Sequence, residues 1–441
     1  MKTRPRKTPP WYALDHAAVI YPPTMSDRAP AFFRLQLSLA EPVNLVALSD
    51  ALQKMARRFP LFHVELRKGA FWYYFERNDA PPAPMADSLY PMQRPEAGKK
   101  GAHLYRVRAY HNRLALEVSH VICDGYGGMA LFKTLIAEYF RLCGLTVPCE
   151  EGVFDLDAAP SPEEWEDSFA RYSRPGLPPP PPQDPSWHIP GALLPRGTIR
   201  ITTGRLSVAQ LLAKAKGYGV TATVYLAARY LAALQDYQED EAMASGQPGD
   251  AWRRKAKPLR LEVPADMRKI FPSSTLRNFS LFLEPTLRPR LQRYDFADIL
   301  KIVEAHMALG LQRGELARII TRNVEAARSP FVRAMPLPIK NAFMRALNSI
   351  YGDRMFSGVL SNLGSFKLPA ILRDRVLAVD LIINTSPVIK QTVAAISYGD
   401  VFSISIGSLC ESAEFERRFL TSLVKDGLRV KVESNIPHRR G

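Results

Sequence analysis

Apolar and polar residues alternate along Phe33-Arg34-Leu35-Gln36-Leu37-Ser38-Leu39, and that period predicts a half-buried strand. Asn44 then stands where a helix cap belongs. Leu45, Leu48, Leu52, Met55 and Phe59 recur at helical spacing behind it, and Pro60 limits the run. Strand-like runs follow around Phe62 to Leu66 and Phe71 to Phe75. His103 to Tyr110 and Arg113 to Val121 predict an antiparallel pair across a short turn at His111-Asn112. A helix comes next, with Met129, Phe132, Leu135, Ile136 and Tyr139 on one stripe.

A second set of elements begins near Ile199. Helical stripes run over Val208 to Lys216 and Val224 to Tyr237, with strands at Leu259 to Val263 and Asn278 to Glu284. Helices are predicted between Phe296 and Ile350, then strands at Val359 to Asn362, Val376 to Ile383, Thr392 to Ser397 and Val401 to Ile406. A last helix falls near Ala413 to Val424. Between the two sets the composition changes. Eight acidic residues and no basic one lie from Glu150 to Ala170, and Pro175, Pro178 to Pro182, Pro185 and Pro190 follow. Such a tract favours stiff, extended geometry, so the chain divides into an N-terminal lobe, 1–174, a Pro-rich linker, 175–196, and a C-terminal lobe, 197–441.

Composition narrows the class. The 441 residues carry 59 Lys plus Arg against 43 Asp plus Glu, a formal charge of +16, and 46% are apolar. That is globular composition with material for more than one core, and the surplus of positive charge would concentrate anionic partners. No run reaches the ~20 apolar residues of a membrane span. Met1 to Pro10 is basic and proline-rich and leads into Trp11-Tyr12-Ala13-Leu14-Asp15-His16, which lacks the apolar core of a secretion signal, so a cytoplasmic protein is expected. Cys123, Cys143, Cys149 and Cys410 have neither CxxC nor disulfide-framework spacing, which points to reduced structural thiols and no metal site. Basic residues cluster at Arg253, Arg254, Lys255, Lys257, Arg260, Arg268 and Lys269. No helix-turn-helix, zinc-finger or RNP pattern accompanies them, so nucleic acid is not an expected partner.

The chemistry gathers in Leu114-Ala115-Leu116-Glu117-Val118-Ser119-His120-Val121-Ile122-Cys123-Asp124-Gly125-Tyr126-Gly127-Gly128. Strand period places His120 on the face of Leu114, Leu116 and Val118, pointing inward. Asp124 stands at the strand end, before glycines that allow a tight turn into the helix. An imidazole with an ordinary pKa of ~6.5 is neutral yet basic at neutral pH, as proton abstraction requires. A nearby carboxylate can orient the ring or tie the turn to an arginine elsewhere. Taken alone, the same residues also describe a core histidine beside a turn aspartate.

The stretch from Ser119 to Gly125 resembles the HxxxDG signature of the CoA-dependent acyltransferase superfamily, which includes chloramphenicol acetyltransferase and peptide-synthetase condensation domains. Further segments stand in the order of its bacterial alcohol acetyltransferase-like branch: Trp11 to Asp15, Val263-Pro264-Ala265-Asp266-Met267-Arg268, Arg277-Asn278-Phe279, and Ser361-Asn362-Leu363-Gly364. The resemblance implies an α/β (α+β) fold of two chloramphenicol-acetyltransferase-like lobes, each a mixed sheet flanked by helices, with an active-site tunnel between them. It implies that His120 deprotonates the acceptor and that Asp124 is structural, paired with Arg268. Gly125, Asn278, Ser361 and Asn362 would support the site, with Ser361 a donor to the developing oxyanion. Ser119 stands where condensation domains usually carry a second histidine, which favours O-acyl transfer, and the plant-type DFGWG element is absent.

Three other readings compete with this one. Gly125-Tyr126-Gly127-Gly128-Met129-Ala130 satisfies G-x-G-x-x-[GA], which would suit a dinucleotide-binding oxidoreductase, but Asp124 would adjoin the pyrophosphate and the preceding strand is half of an antiparallel pair. Ala395-Ile396-Ser397-Tyr398-Gly399 nearly matches an esterase elbow, yet a hairpin is predicted there. A non-catalytic module that binds a carrier protein would leave His120 idle. The expectation is a monomer moving a short acyl group, such as acetyl, from acyl-CoA as co-substrate to a small alcohol. No permanently bound cofactor is expected; an amine is the alternative acceptor and an acyl carrier protein the alternative donor.

Overall fold

The computed structural model describes residues 11–94, 101–246 and 251–436, so the basic stretch Met1 to Pro10 lies outside the described residues. The first half contains β1 (Trp11–Ala13), α1 (Tyr21–Thr24), β2 (Phe32–Leu39), α2 (Leu45–Arg58), β3 (Val64–Lys68), β4 (Tyr73–Arg77), β5 (Met85–Ala86), β6 (Tyr105–Tyr110), β7 (Arg113–Ser119), α3 (Gly125–Leu142) and α4 (Ser168–Tyr172). Beyond the proline tract come β8 (Arg200–Ser207), α5 (Val208–Gly217), α6 (Ala222–Ala244), β9 (Leu259–Asp266), β10 (Ser280–Leu283), β11 (Thr286–Leu287), α7 (Phe296–Gly310), α8 (Arg313–Arg328), α9 (Pro330–Ala334) and α10 (Leu337–Tyr351). The chain closes with β12 (Gly358–Ser365), β13 (Val376–Ile382), β14 (Gln391–Tyr398), β15 (Val401–Ser408), α11 (Glu414–Lys425) and β16 (Lys431–Ser434). No helix among the described residues is long and apolar enough to cross a membrane.

The alternating run of β2 does make a strand, an interior one in a five-stranded sheet of order β13-β2-β7-β6-β5. One face is apolar: Leu35, Leu37, Leu116 and Val118 pack with Leu48, Leu52 and Met55 of α2 and with Phe132, Leu135 and Ile136 of α3. Each such side chain removed from water contributes ~1.5–3 kcal/mol. Asn44 caps α2 by accepting from Val46 N and Ala47 N, whereas Leu45, expected on the buried stripe, stays exposed. The strand itself is buried on both faces rather than half-buried. Its polar alternates form an ion network in which Arg34 binds Asp87 at 2.7 Å and Glu117 at 3.1 Å, while Arg106 and Arg108 also reach Glu117. Charged side chains can occupy that interior because each one is paired.

The second sheet runs β10-β9-β12-β14-β15-β8-β16, with β11 also on β9. β12 is parallel to both its neighbours, and β14, β15, β8 and β16 are successively antiparallel. Tyr230, Leu231 and Leu234 of α6 join Phe415, Phe419 and Leu423 of α11 over Val393, Ile404 and Ile406. Two elements cross the division drawn at the proline tract. β13, from the C-terminal part, pairs with β2 as an edge of the first sheet, and its Asp380 binds Arg205 of the second sheet at 2.7 Å and Gln36 of the first at 2.9 Å. In the other direction Phe169 of α4 packs with Met267, Phe271 and Phe279. The proline tract is a strap laid on the second lobe: Arg318 donates to the carbonyls of Pro178 and Pro179, and Trp187 N to that of Pro258.

Candidate active site

β7 ends at Ser119, and the chain turns through His120 to Cys123 before α3 begins. Backbone bonds fix the corner: His120 N donates to Ala31 O at 2.8 Å, and Ile122 N to Ser119 O at 3.0 Å. Asp124 caps α3, accepting from Tyr126 N at 3.1 Å and Gly127 N at 3.3 Å. The glycines serve close approach from the second lobe. A β-carbon at Gly125 would stand 2.7 Å from Leu363 of β12, and one at Gly127 would overlap the carbonyl of Leu276.

His120 sits on the inward face, with its ring between Phe33 at 4.8 Å between centroids and Tyr21 of α1, stacked at 5.5 Å. Taken as a whole the residue is partly buried, and its ring lies against these two aromatic side chains. Burial lowers its pKa to about 4, opposed by the negative charge of Asp124 and a hydrogen bond to the backbone of Cys123. The imidazole is therefore neutral at neutral pH and able to take a proton. Its carbonyl accepts from Asn278 Nδ2 at 3.0 Å, so the second lobe holds the turn from the far side.

Arg268 meets Asp124 through Nη1 to Oδ2 at 2.9 Å and Nη2 to Oδ1 at 3.3 Å. Its other bonds go to Asp266 Oδ1 at 2.9 Å, Thr275 O at 2.9 Å and Arg277 O at 2.6 Å, and its plane lies 4.4 Å over the ring of Tyr126. All the guanidinium donors are thus engaged. Phe279 N adds a bond to Asp124 Oδ2 at 2.8 Å. No hydrogen bond joins Asp124 to the imidazole, so the carboxylate clamps the corner to the other lobe and reaches His120 only through its charge. Of the remaining basic cluster, Arg253 pairs with Glu239 and Arg260 is buried against the carbonyls of Asp184 and Met355, leaving Arg254, Lys255, Lys257 and Lys269 exposed.

The pair from β12 serves differently. Asn362 donates to Thr223 Oγ1 at 3.0 Å and accepts from Gly364 N, while Ser361 is buried with no hydrogen bond from its hydroxyl to any described residue. Neither side chain bonds His120 or Asp124; their segment reaches the corner through Leu363. Three residues at the site carried no chemical role in the sequence reading. Asp15 is buried, accepts from Ala18 N at 2.7 Å, Asn278 Nδ2 at 3.2 Å and Arg277 Nε at 3.3 Å, and has its pKa raised chiefly by burial. Tyr21 stacks on the imidazole. The carboxyl of Glu262 in β9 has no hydrogen-bond partner among the described residues, and burial, with the charges of Asp353 and Glu284, pushes its pKa up to about 8. Asp15 was visible only as a letter of the opening motif, and Tyr21 and Glu262 had no sequence signal.

The dinucleotide and esterase readings find no support in this geometry. β7 is antiparallel to both β2 and β6, so Gly125 to Ala130 does not follow a parallel strand. Ser397 lies within β14, which turns at Gly399 into β15. Among the described residues no group of three His, Cys, Asp or Glu side chains could hold a metal ion. Two surface hollows, of about 100 Å³ beside Tyr139 and about 30 Å³ beside Met92, are not lined by His120.

No family model matches the sequence, and no curated protein does. Solved structures match its fold along nearly the whole chain. Polyketide synthase associated protein 5 from Mycobacterium tuberculosis is 14% identical, with a TM-score of 0.60 over 94% of this chain and 97% of that one. A trichothecene 15-O-acetyltransferase from Fusarium sporotrichioides is 12% identical, with a TM-score of 0.58 over 94% of each chain. The starter condensation domain of rhizomide synthetase, solved with C8-CoA and Leu-SNAC, is 13% identical, with a TM-score of 0.58 over 95% of each. The chain thus has the two-lobed fold of the condensation-domain and CoA-dependent acyltransferase proteins.

Proposed function

We propose that this protein is an acyltransferase that moves a short acyl group from a CoA thioester to an alcohol, with His120 as general base. The observation that carries the reading is the neutral imidazole at the β7–α3 corner, stacked on Tyr21 and gripped from the second lobe through Asn278 and Asp124. In the reaction His120 takes the hydroxyl proton as the acceptor oxygen attacks the thioester carbonyl. The C–S bond breaks, an ester forms, and the proton passes to the departing sulfur, so that CoA leaves as the thiol. No covalent acyl-enzyme is needed. Asp124 and Arg268 keep the corner in register, and Ser361 is the hydroxyl offered to the developing oxyanion. An acyl carrier protein as donor, or an amine as acceptor, would use the same base.

The test is release of free thiol from acyl-CoA of several chain lengths with pooled alcohols and amines. Wild type should release thiol with an alcohol, and His120→Ala should lose at least ~100-fold in kcat with the fold retained. Wild-type turnover in a folded His120→Ala preparation would remove the base from the scheme.

A further inference from the structure

α10 turns apolar side chains to solvent. Ile339, Phe343, Ala346 and Ile350 follow helical spacing on its exposed side, with Ile339 59% and Ile350 51% accessible, a stripe about 16 Å long. Phe331 of α9 and Tyr351, at 70% and 69%, stand beyond its two ends. The β3–β4 turn extends the surface: Leu337 N donates to Ala70 O and Lys340 Nζ to Phe71 O, both at 2.8 Å, which sets exposed Phe71 and Trp72 beside the first turn of α10. The charge within α9 and α10 has one sign, and the nearest carboxylates along the chain, Glu325 and Asp353, stand just outside the segment. From residue 326 to 352 there are four basic residues, Arg328, Arg333, Lys340 and Arg345, and no Asp or Glu. The three arginines are exposed and form no salt bridge with a described carboxylate.

We propose that the α9–α10 face docks on anionic lipid bilayers, lying in the interface without crossing it. An apolar helix face flanked by unpaired cations and bounded by aromatic rings is the combination that partitions into a headgroup layer, where the rings sit at the boundary and arginines reach phosphates. A second copy of the chain is a poorer occupant, because the twofold contact would bring the arginines of α9 and α10 together, with carboxylates only at the margins, Glu325 and Asp353. α1, which carries Tyr21 onto His120, packs against α10, so docking would hold that end of the site near lipid. That last consequence rests on the acyl-transfer reading, whereas docking does not.

The experiment floats the full chain with phosphatidylcholine vesicles, with or without phosphatidylglycerol, and needs no activity. Wild type should float with the anionic vesicles, lose binding as salt rises and ignore phosphatidylcholine alone. Ile339→Glu with Ile350→Glu, and separately Arg333→Glu with Arg345→Glu, should each cut partitioning by about tenfold or more, with unchanged circular dichroism because all four positions are exposed. The proposal is overturned if wild type fails to float, if either double variant floats like wild type, or if wild type is a dimer that the variants dissociate.

Discussion

A histidine kept neutral by burial has a working range that can be worked out from its surroundings. The ordinary imidazole pKa is ~6.5, and removal of the His120 ring from water brings it to about 4. A base must be unprotonated to act, so activity is lost only as pH falls through the lowered value. The acid limb of kcat/KM should therefore lie near pH 4 rather than in the ordinary histidine range. Tyr21 supplies one wall of that dry environment, and Tyr21→Ala should admit water and move the limb upward toward ~6.5. The limb is to be followed in both proteins by thiol release across pH. Coincident limbs would mean that another group sets the profile.

The corner between β7 and α3 depends on two close contacts that differ in how far they can yield. A β-carbon at Gly125 would meet the tip of Leu363, a side chain that can turn aside, whereas one at Gly127 would meet the backbone of Leu276. Alanine ordinarily favours a helix over glycine by ~1 kcal/mol, so both substitutions start with the same small advantage. Gly127→Ala should nevertheless lose about 2 kcal/mol or more in urea unfolding, because the loop that carries Arg268 and Asn278 must retreat. Gly125→Ala should lose distinctly less, and equal losses would show that the loop is not seated on the helix as described. Period and capping made β2, α2, the β6–β7 hairpin and α3 legible in the sequence, because each is a local pattern closed by its own turn residues. The Asp124–Arg268 pairing was reached through resemblance alone. The polar face of β2 and the transfer of β13 to the first sheet were not legible, since both depend on partners such as Asp87, Glu117 and Arg205 that lie far away in the chain. Tyr21 arrives at His120 by tertiary placement, which leaves no mark on period or composition.

Across the whole molecule, the seam between the sheets gathers groups whose protonation differs from that of the unfolded chain, so pH should act on the union of the lobes. His120 there and His63 in the first lobe both have pKa values lowered to about 4. Between about pH 4 and ~6.5 the unfolded chain binds more protons at these sites, so stability falls as pH drops through that window. Glu262 has the opposite sign. Its carboxyl stays protonated in the folded protein up to about pH 8, while in the unfolded chain it ionises near ~4.5, so its contribution erodes as pH rises between those values. Glu262→Gln keeps the shape and removes the titration. The variant should match wild type near pH 5 and exceed it by about 2 kcal/mol at pH 8 to 9, a figure that allows for partial exposure of the side chain. Chemical unfolding at the two pH values measures the difference directly. If the stability curves stayed parallel from pH 5 to 9, Glu262 would have to be ionised in the folded protein, and the seam could not be as dry as its packing implies.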